Sequence, residues 1–565
     1  MEASNNAEYT EMIEARISPF IQRIMRQKRI TGLSIALVDE QGVLAAKGFG
    51  FADKQNQQPA TSHTVYKIGS ITKLFTGTAA MQLHERGQLD LDEPVIEYLP
   101  EFSIKARPES ISQITPRTLM THHSGLPADW YANYWSDDPR AFRRVIDYLR
   151  ECTPAFPPNT VFSYSNLATS LMGIIIERVS HLSYQEYIEQ NILIPLKMSV
   201  SALTAENVSP VLLSKAYARG QEVEDPVLRD APAGAILSNV QEMSHFLSMV
   251  LASGSYEGTS ILKRDSLEEM LSPQNRDIPL DLGFQIGLNW LLGRPTLASA
   301  GRVCWHDGGS PHFFSMLVAL PDVKLGAVVL SNSDGGMINV GLIADEMLKQ
   351  AITVKTGSRT QISEKQSIAP NPKVDANGEL PTGTFASANE IVQIFPHKDA
   401  YRAKMQGMQF KLTPEPDGWY ALRLLLLGWL PVKIASVESL RLTVRTIEDQ
   451  RILGMEQHGI RAPFGVEYAP VDIPTAWATS LGQYHLTTPD KLPPFTALNL
   501  KIDRGVLFLQ VTARKVGKMS LVLHPTSDSK ATVLGFGRIG GVRVELSQRN
   551  GTQMLKMVGL EFTKS

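Results

Sequence analysis

Residues 66–87, YKIGSITKLFTGTAAMQLHERG, hold the reading that decides the fold. From Ser70 onward the segment is rich in apolar or small residues, among them Leu74, Phe75, Ala79, Ala80, Met81 and Leu83. A helix that is apolar all round belongs inside a protein, so the pattern predicts a buried central helix stopped at Gly87. Ser70 stands at its head and Lys73 nearly one turn on, which puts both side chains on one face. A serine hydroxyl is a poor nucleophile until a neighbouring base takes its proton. The helix start adds free N–H groups and a positive dipole end for developing negative charge. The lysine must be partly desolvated for that task, because its ordinary pKa of about 10.4 keeps it charged at neutral pH. Ser527 and Lys530 repeat the spacing in a polar loop, where it is read as coincidence.

Outward from this helix the chain divides in two. On the N-terminal side, residues 8–28 carry Ile13, Ile17, Ile21 and Ile24 at helical spacing. Strand-like runs follow at 34–40 (SIALVDE) and 42–50 (GVLAAKGFG), joined at Glu40-Gln41-Gly42. On the C-terminal side a mainly helical stretch extends to about residue 275. Strand-like runs then appear at 302–309, 313–321 and 325–333, with a closing helix at 340–352. A sheet whose halves come from opposite ends of one unit, with a helical insert between them, is an α/β or α+β layered architecture.

Residues 354–380 are polar and rich in Pro, Gly and Ser, and read as a linker. Beyond them short alternating runs dominate, such as LRLTVRT (440–446) and VLFLQVT (506–512), so the tail is all-β, as small barrels or sandwiches. PTGTFAS (381–387) and SLGQYHL (480–486) share a Gly-x-aromatic step, which suggests two similar β units in tandem. The expected division is 1–353, 354–380, 381–475 and 476–565.

Composition narrows the classes. A hydrophobic fraction of 43% and a charged fraction of 20% are those of ordinary globular protein. A net charge of −2 gives no pull toward nucleic acid or anionic membrane. Cys152 and Cys304 are too few for a disulfide framework and are read as reduced thiols. No apolar run is long enough for a membrane span; the densest, 421–435, is broken by Arg423, Gly428 and Pro431 and reads as β structure in a core. The start of the sequence lacks a secretory signal, which points to the cytoplasm as written, or to the periplasm or outside if a signal was trimmed. No cofactor is called for, and adjacent His122 and His123 lack the spaced partners of a zinc motif.

Two more elements carry chemistry. Tyr164-Ser165-Asn166 precedes an apolar helical run. A tyrosine there can relay a proton to a leaving group, and an asparagine amide can hold both the lysine and a substrate carbonyl. The bland alternative is a loop tyrosine with Asn166 as helix cap. His306-Asp307-Gly308 lies on a strand whose glycines let substrate approach the backbone. The N–H groups of Gly309 and Ser70 could together form an oxyanion hole. Tyr131-Ala132-Asn133 and His123-Ser124-Gly125 match these patterns by chance. Lys355-Thr356-Gly357 spells a lysine form of the third element, but is expected after the closing helix rather than on a sheet strand.

Taken in order, these elements resemble the penicillin-recognising serine hydrolases: class C β-lactamases, D,D-carboxypeptidases, D-aminopeptidases and family VIII carboxylesterases. YKIGSITKLF, GQLDLDEPVIEYLPEF, ITPRTLMTHHSGLP, FSYSNLATSLMG and HDGGSPHFFSMLVALPD are similar to that family's segments, across roughly residues 10–353. The resemblance implies a helical lobe on a five-stranded antiparallel sheet, with Ser70 acylated, Lys73 its base and Tyr164 assisting proton transfer. Asn166, His306 and Gly309 would position substrate. It implies a lipocalin-like tail that can reach over the site, and substrates that are small peptides, amides or esters. Class C β-lactamases carry lysine where this chain has His306, which is mostly neutral at pH 7. That departure argues for a peptidase or esterase with weak β-lactamase activity. No class A deacylating glutamate is evident. The alternatives are a slowly deacylating penicillin-binding sensor and a self-associating scaffold; a homo-oligomer is compatible with each.

Overall fold

The computed structural model of the chain describes residues 2–357, 381–398, 400–426, 428, 430–432, 435–487, 492–513 and 517–565. Most of the expected linker, 358–380, lies outside the described residues.

The N-terminal unit is built on β1 (Gly32–Val38), β2 (Val43–Asp53), β3 (Cys304–Gly309), β4 (Phe314–Leu320) and β5 (Leu325–Ser331). They form an antiparallel sheet in the order β3-β4-β5-β1-β2, with two-residue strands extending both edges to eight. The expected five strands are therefore its long ones. The β1–β2 hairpin turns where Asp39 Oδ1 accepts from the N–H groups of Gln41 and Gly42, at 2.9 and 3.0 Å.

Every residue of β1, β4 and β5 is buried. Successive side chains point to opposite faces of a strand, and here both faces find a core. Leu33, Ile35, Leu37, Ala327 and Val329 enter one core; Ala36, Val38, Val328 and Leu330 enter the other. The first core is covered by α1 (Ser18–Lys28), through Ile21 and Ile24, and by the C-terminal helix Asn339–Thr356, through Ile343 and Met347. The second is the helical lobe. It comprises α2 (Thr72–Glu85), α3 (Asn166–Ser180), α4 (Val240–Leu251) and shorter helices. The C-terminal helix, α5, runs four residues past the expected end at 352, to Thr356.

Helix α2 is buried from Thr72 through Leu83, as its composition demands, and Phe75 stacks on Phe246 of α4 with centroids 4.4 Å apart. Burying one such ring contributes roughly 1.5–3 kcal/mol. Cys152 and Cys304 are free and buried. Among the described residues no helix is long and apolar enough to cross a membrane.

The tail holds two barrels: a nine-stranded sheet, eight strands of which close into a ring with Leu430–Val432 as the ninth, and a closed barrel of eight strands. Strand Gly383–Ser387 pairs with Ile391–His397 on one side and Ile460–Glu467 on the other, closing the first. Strand Gly482–Leu486 pairs with Phe495–Asp503 and Leu560–Lys564, closing the second. Each Gly-x-aromatic step thus opens a barrel, with Phe385 and Tyr484 buried in the two barrel cores. The described part of the run at 421–435 is β structure, in strands Tyr420–Leu426 and Leu430–Val432. Leu426 faces Leu430 across these two strands and both are exposed, while Leu422, Leu424 and Leu425 are buried.

Candidate active site

The turn before α2 is a single 3-10 turn, Gly69–Ile71, which presents Ser70 at the mouth of the helix. Strand β3 presses directly against it. A Cβ on Gly308 would stand 2.0 Å from the Ile68 carbonyl oxygen, and one on Gly69, whose φ is +52°, would stand 2.6 Å from the Gly309 nitrogen. Ser315 on β4 secures the same junction by donating 2.7 Å to Ile68 O. Glycine at 69 and 308 is what lets the strand and the serine turn meet.

Lys73 is fully buried one helical step below. Its Nζ donates to Ser70 Oγ at 3.2 Å, to Asn166 Oδ1 at 2.8 Å and to Ala233 O at 2.8 Å. Burial, reinforced by the Arg538 cation, pushes its pKa down to about 7. A lysine so placed divides between its neutral and charged forms near neutral pH, as a base for a serine requires. Tyr164 lies over both groups, with its ring centroid 4.8 Å from Lys73 Nζ. Burial raises its phenol well above the ordinary value, with the Ser70 hydroxyl working against that rise. It is therefore a proton-bearing group at working pH.

Asn166 is the first residue of α3. Ser165, not Asn166, caps that helix, its Oγ accepting from Ala168 N at 3.0 Å. This leaves the Asn166 amide free to bridge Lys73 and Asp129. His306 on β3 is buried, with its ring centroid 6.3 Å from that of Tyr164. Its Nδ1 donates to the Asp307 carbonyl oxygen. Burial pushes its pKa down to about 4 against the pull of Asp307, so the ring is neutral. The structure thus brings Ser70, Lys73, Tyr164, Asn166, His306 and Gly309 together where the serine turn, α3 and β3 meet.

The beta-lactamase family model matches residues 17–350. The chain belongs to the beta-lactamase family. Members of that superfamily are generally serine hydrolases. Protein flp of Staphylococcus aureus (strain MW2) is 26% identical over 335 residues, which is 56% of this chain and 63% of that protein. This chain therefore spans 63% of the length of that curated relative. A beta-lactamase of Escherichia coli (strain K12) is 25% identical over 57% of this chain and 89% of its own. Among solved structures, the octameric penicillin-binding protein homologue from Pyrococcus abyssi matches at 25% identity and TM-score 0.55, over 80% of this chain and 99% of that one. SurE shares the fold at 19% identity and TM-score 0.57, over 83% of this chain and 100% of its own.

Other copies of the family's motifs stand apart. Lys355 lies in the last turn of α5 rather than after it, its Nζ 3.4 Å from Lys324 O on the surface. Ser527 Oγ accepts from the Lys530 backbone in a turn. His123 Nε2 donates to Asp281 at 2.9 Å. Among the described residues no group of three or more His, Cys, Asp or Glu could hold a metal ion.

Sequence reasoning missed five residues at the site. Asp129, with 2% of its side chain exposed, accepts from Asn166 Nδ2 at 2.8 Å, Tyr134 Oη at 3.1 Å, Tyr131 Oη at 3.2 Å and Arg538 Nη2 at 2.5 Å. Burial alone would raise its carboxyl, but Arg538 and these donors hold it below the usual range. Tyr131, set aside as a chance match, joins this cluster. His122 packs on Tyr164 with centroids 4.4 Å apart, and its Nδ1 accepts from Ser165 N. Burial, then Lys73, drives its pKa far down, so it is a neutral wall. Nothing local in the sequence marks Asp129 or Arg538.

Proposed function

We propose that the chain is a serine acyl-transfer hydrolase acting on small peptides, amides or esters, with Ser70 as nucleophile. The observation that carries this reading is the contact of Lys73 Nζ with Ser70 Oγ, 3.2 Å, by a lysine held near neutrality. In the reaction neutral Lys73 takes the Ser70 proton as Oγ bonds to the substrate carbonyl carbon. The resulting oxyanion is met by the N–H groups of Ser70 and Gly309; one such donor contributes about 10²–10³ in rate. Collapse breaks the bond to the leaving group, which takes a proton by way of Tyr164 as Lys73 resupplies it. Water then adds to the acyl carbon as one of its protons passes by way of Tyr164 to Lys73; collapse breaks the bond between Ser70 Oγ and the acyl carbon, Lys73 returns that proton to Oγ, and the acid leaves. Asn166 holds Lys73 and the substrate carbonyl, and neutral His306 lines the cleft.

Neutral His306 supplies no charge at the position where class C β-lactamases carry lysine, and we expect weak turnover of β-lactams. The description of SurE in a crystal structure with D-Leu supports D-amino-acid peptides as a substrate class. The octameric homologue supports a homo-oligomer.

The test is intact-protein mass after exposure to a penicillin, and separately turnover of a p-nitrophenyl short-chain ester, in wild type and Ser70→Ala. An adduct or turnover in the wild type that is lost in the variant supports the reading. Turnover that survives Ser70→Ala overturns it. An adduct that persists undiminished, without turnover, would favour the sensor.

A further inference from the structure

The second tail barrel sets an arginine beside Tyr164 and Asp129. Arg538 sits in the loop between strands Lys530–Val533 and Arg543–Arg549. Its guanidinium carbon stands 5.2 Å from the Tyr164 ring centroid, and Lys73 Nζ stands 4.8 Å from the same centroid. The loop is held from three sides. Phe536 stacks on Phe156 of the helical lobe at 5.7 Å and 15°. Gly541 and Gly535 lie so close to Ala155 and Ala388 that a Cβ would stand 2.1 and 2.3 Å from their backbone atoms. Nearby, Tyr131 N donates 2.9 Å to Val558 O, and Trp135 Nε1 donates 2.9 Å to Leu492 O, pinning barrel to lobe.

A guanidinium has five N–H donors. Through Nη2, Arg538 engages Asp129, whose remaining capacity is taken by Asn166, Tyr131 and Tyr134. Yet 51% of the Arg538 side chain remains exposed, although its guanidinium stands beside Tyr164. The hydrogen bond to Asp129 uses Nη2, and the other donors of a guanidinium form a rigid fork that matches a carboxylate. His306, at the position where the resemblance sets a lysine, is neutral and offers no such charge.

We infer that Arg538 is a specificity residue of the hydrolase proposed above, binding a carboxylate borne by the substrate next to the scissile bond. The tail thereby supplies, through an arginine 409 positions from its partner Asp129, the cation that the third motif lacks. The expected substrates are small acyl compounds whose leaving group or acyl part ends in a free carboxylate, and their neutral derivatives are disfavoured. This rests on the acyl-transfer reading, and its test separates the two.

The experiment measures kcat and KM of full-length protein on N-acetyl-D-alanyl thioglycolate, whose leaving group ends in a carboxylate, and on its methyl ester. Wild type, Arg538→Lys, Arg538→Met and Arg538→Met with Asp129→Asn are compared, the last so that no buried carboxylate is stranded. The wild type is expected to prefer the acid. Arg538→Met and the double variant should each lower the acid-to-ester ratio of kcat/KM by about tenfold or more, through KM, the size of one charge-assisted hydrogen bond. Arg538→Lys should restore part of it. A ratio that stays constant in both Met variants overturns the inference while leaving the hydrolase reading standing. Turnover of neither thioester nor of the p-nitrophenyl ester by wild type overturns both.

Discussion

Asn166 Nδ2 donates 2.8 Å to Asp129 Oδ1, which turns the Asn166 carbonyl oxygen toward Lys73 at 2.8 Å. The buried carboxylate thus decides which end of the amide faces the lysine. Asp129→Asn would set an amide against donors from Asn166, Tyr131, Tyr134 and Arg538, and one of them must lose its acceptor. We expect Asn166 to lose its fixed orientation and kcat to fall about tenfold or more. Steady-state ester hydrolysis checks this; wild-type kcat in the variant would separate Asp129 from the chemistry.

The pH profile follows from Lys73. The base must be neutral to accept the Ser70 proton, so kcat/KM on a neutral ester should fall as pH drops through about 7. Burial is the main cause of that value, with Arg538 next. Arg538→Met should therefore move the acidic limb to higher pH. An unmoved limb would show that the tail's charge does not reach Lys73.

Acid stability carries the mark of His306. Its folded pKa of about 4 lies below the ordinary 6.5, so the unfolded chain binds more protons between these values. Stability should fall as pH drops through that window. His122, also shifted down by burial, acts in the same sense. His306→Asn should flatten part of this loss, read as the melting temperature of the N-terminal unit across pH 4 to 6.5.

Gly308→Ala tests the seam between β3 and the serine turn. The added methyl meets the Ile68 carbonyl and must push the strand away from Ser70. A displacement of about 1 Å at a reacting centre costs about 10²-fold. We expect kcat to drop by that order while circular dichroism shows the fold retained. Undiminished turnover would mean that the seam yields without moving the nucleophile.

The sequence by itself determined what depends on near neighbours. The apolar α2 with Ser70 and Lys73 three residues apart, the all-buried sheet strands, and the two Gly-x-aromatic openings are local patterns, and side-chain periodicity transmits them directly into structure. The order of the three motifs carried the family. Where those signals failed, the cause was again physical. Ser165 rather than Asn166 took the cap, because Ser165 is the extended residue before the first helical one and its Oγ reaches Ala168 N. Only the tertiary structure decided the environment of the site: which histidine walls the tyrosine, which carboxylate orients Asn166, and which arginine from the distant barrel stands beside Tyr164. A charge acts through space over a few ångströms, and here the chain separates Asp129 from Arg538 by 409 positions, so no local pattern could join them.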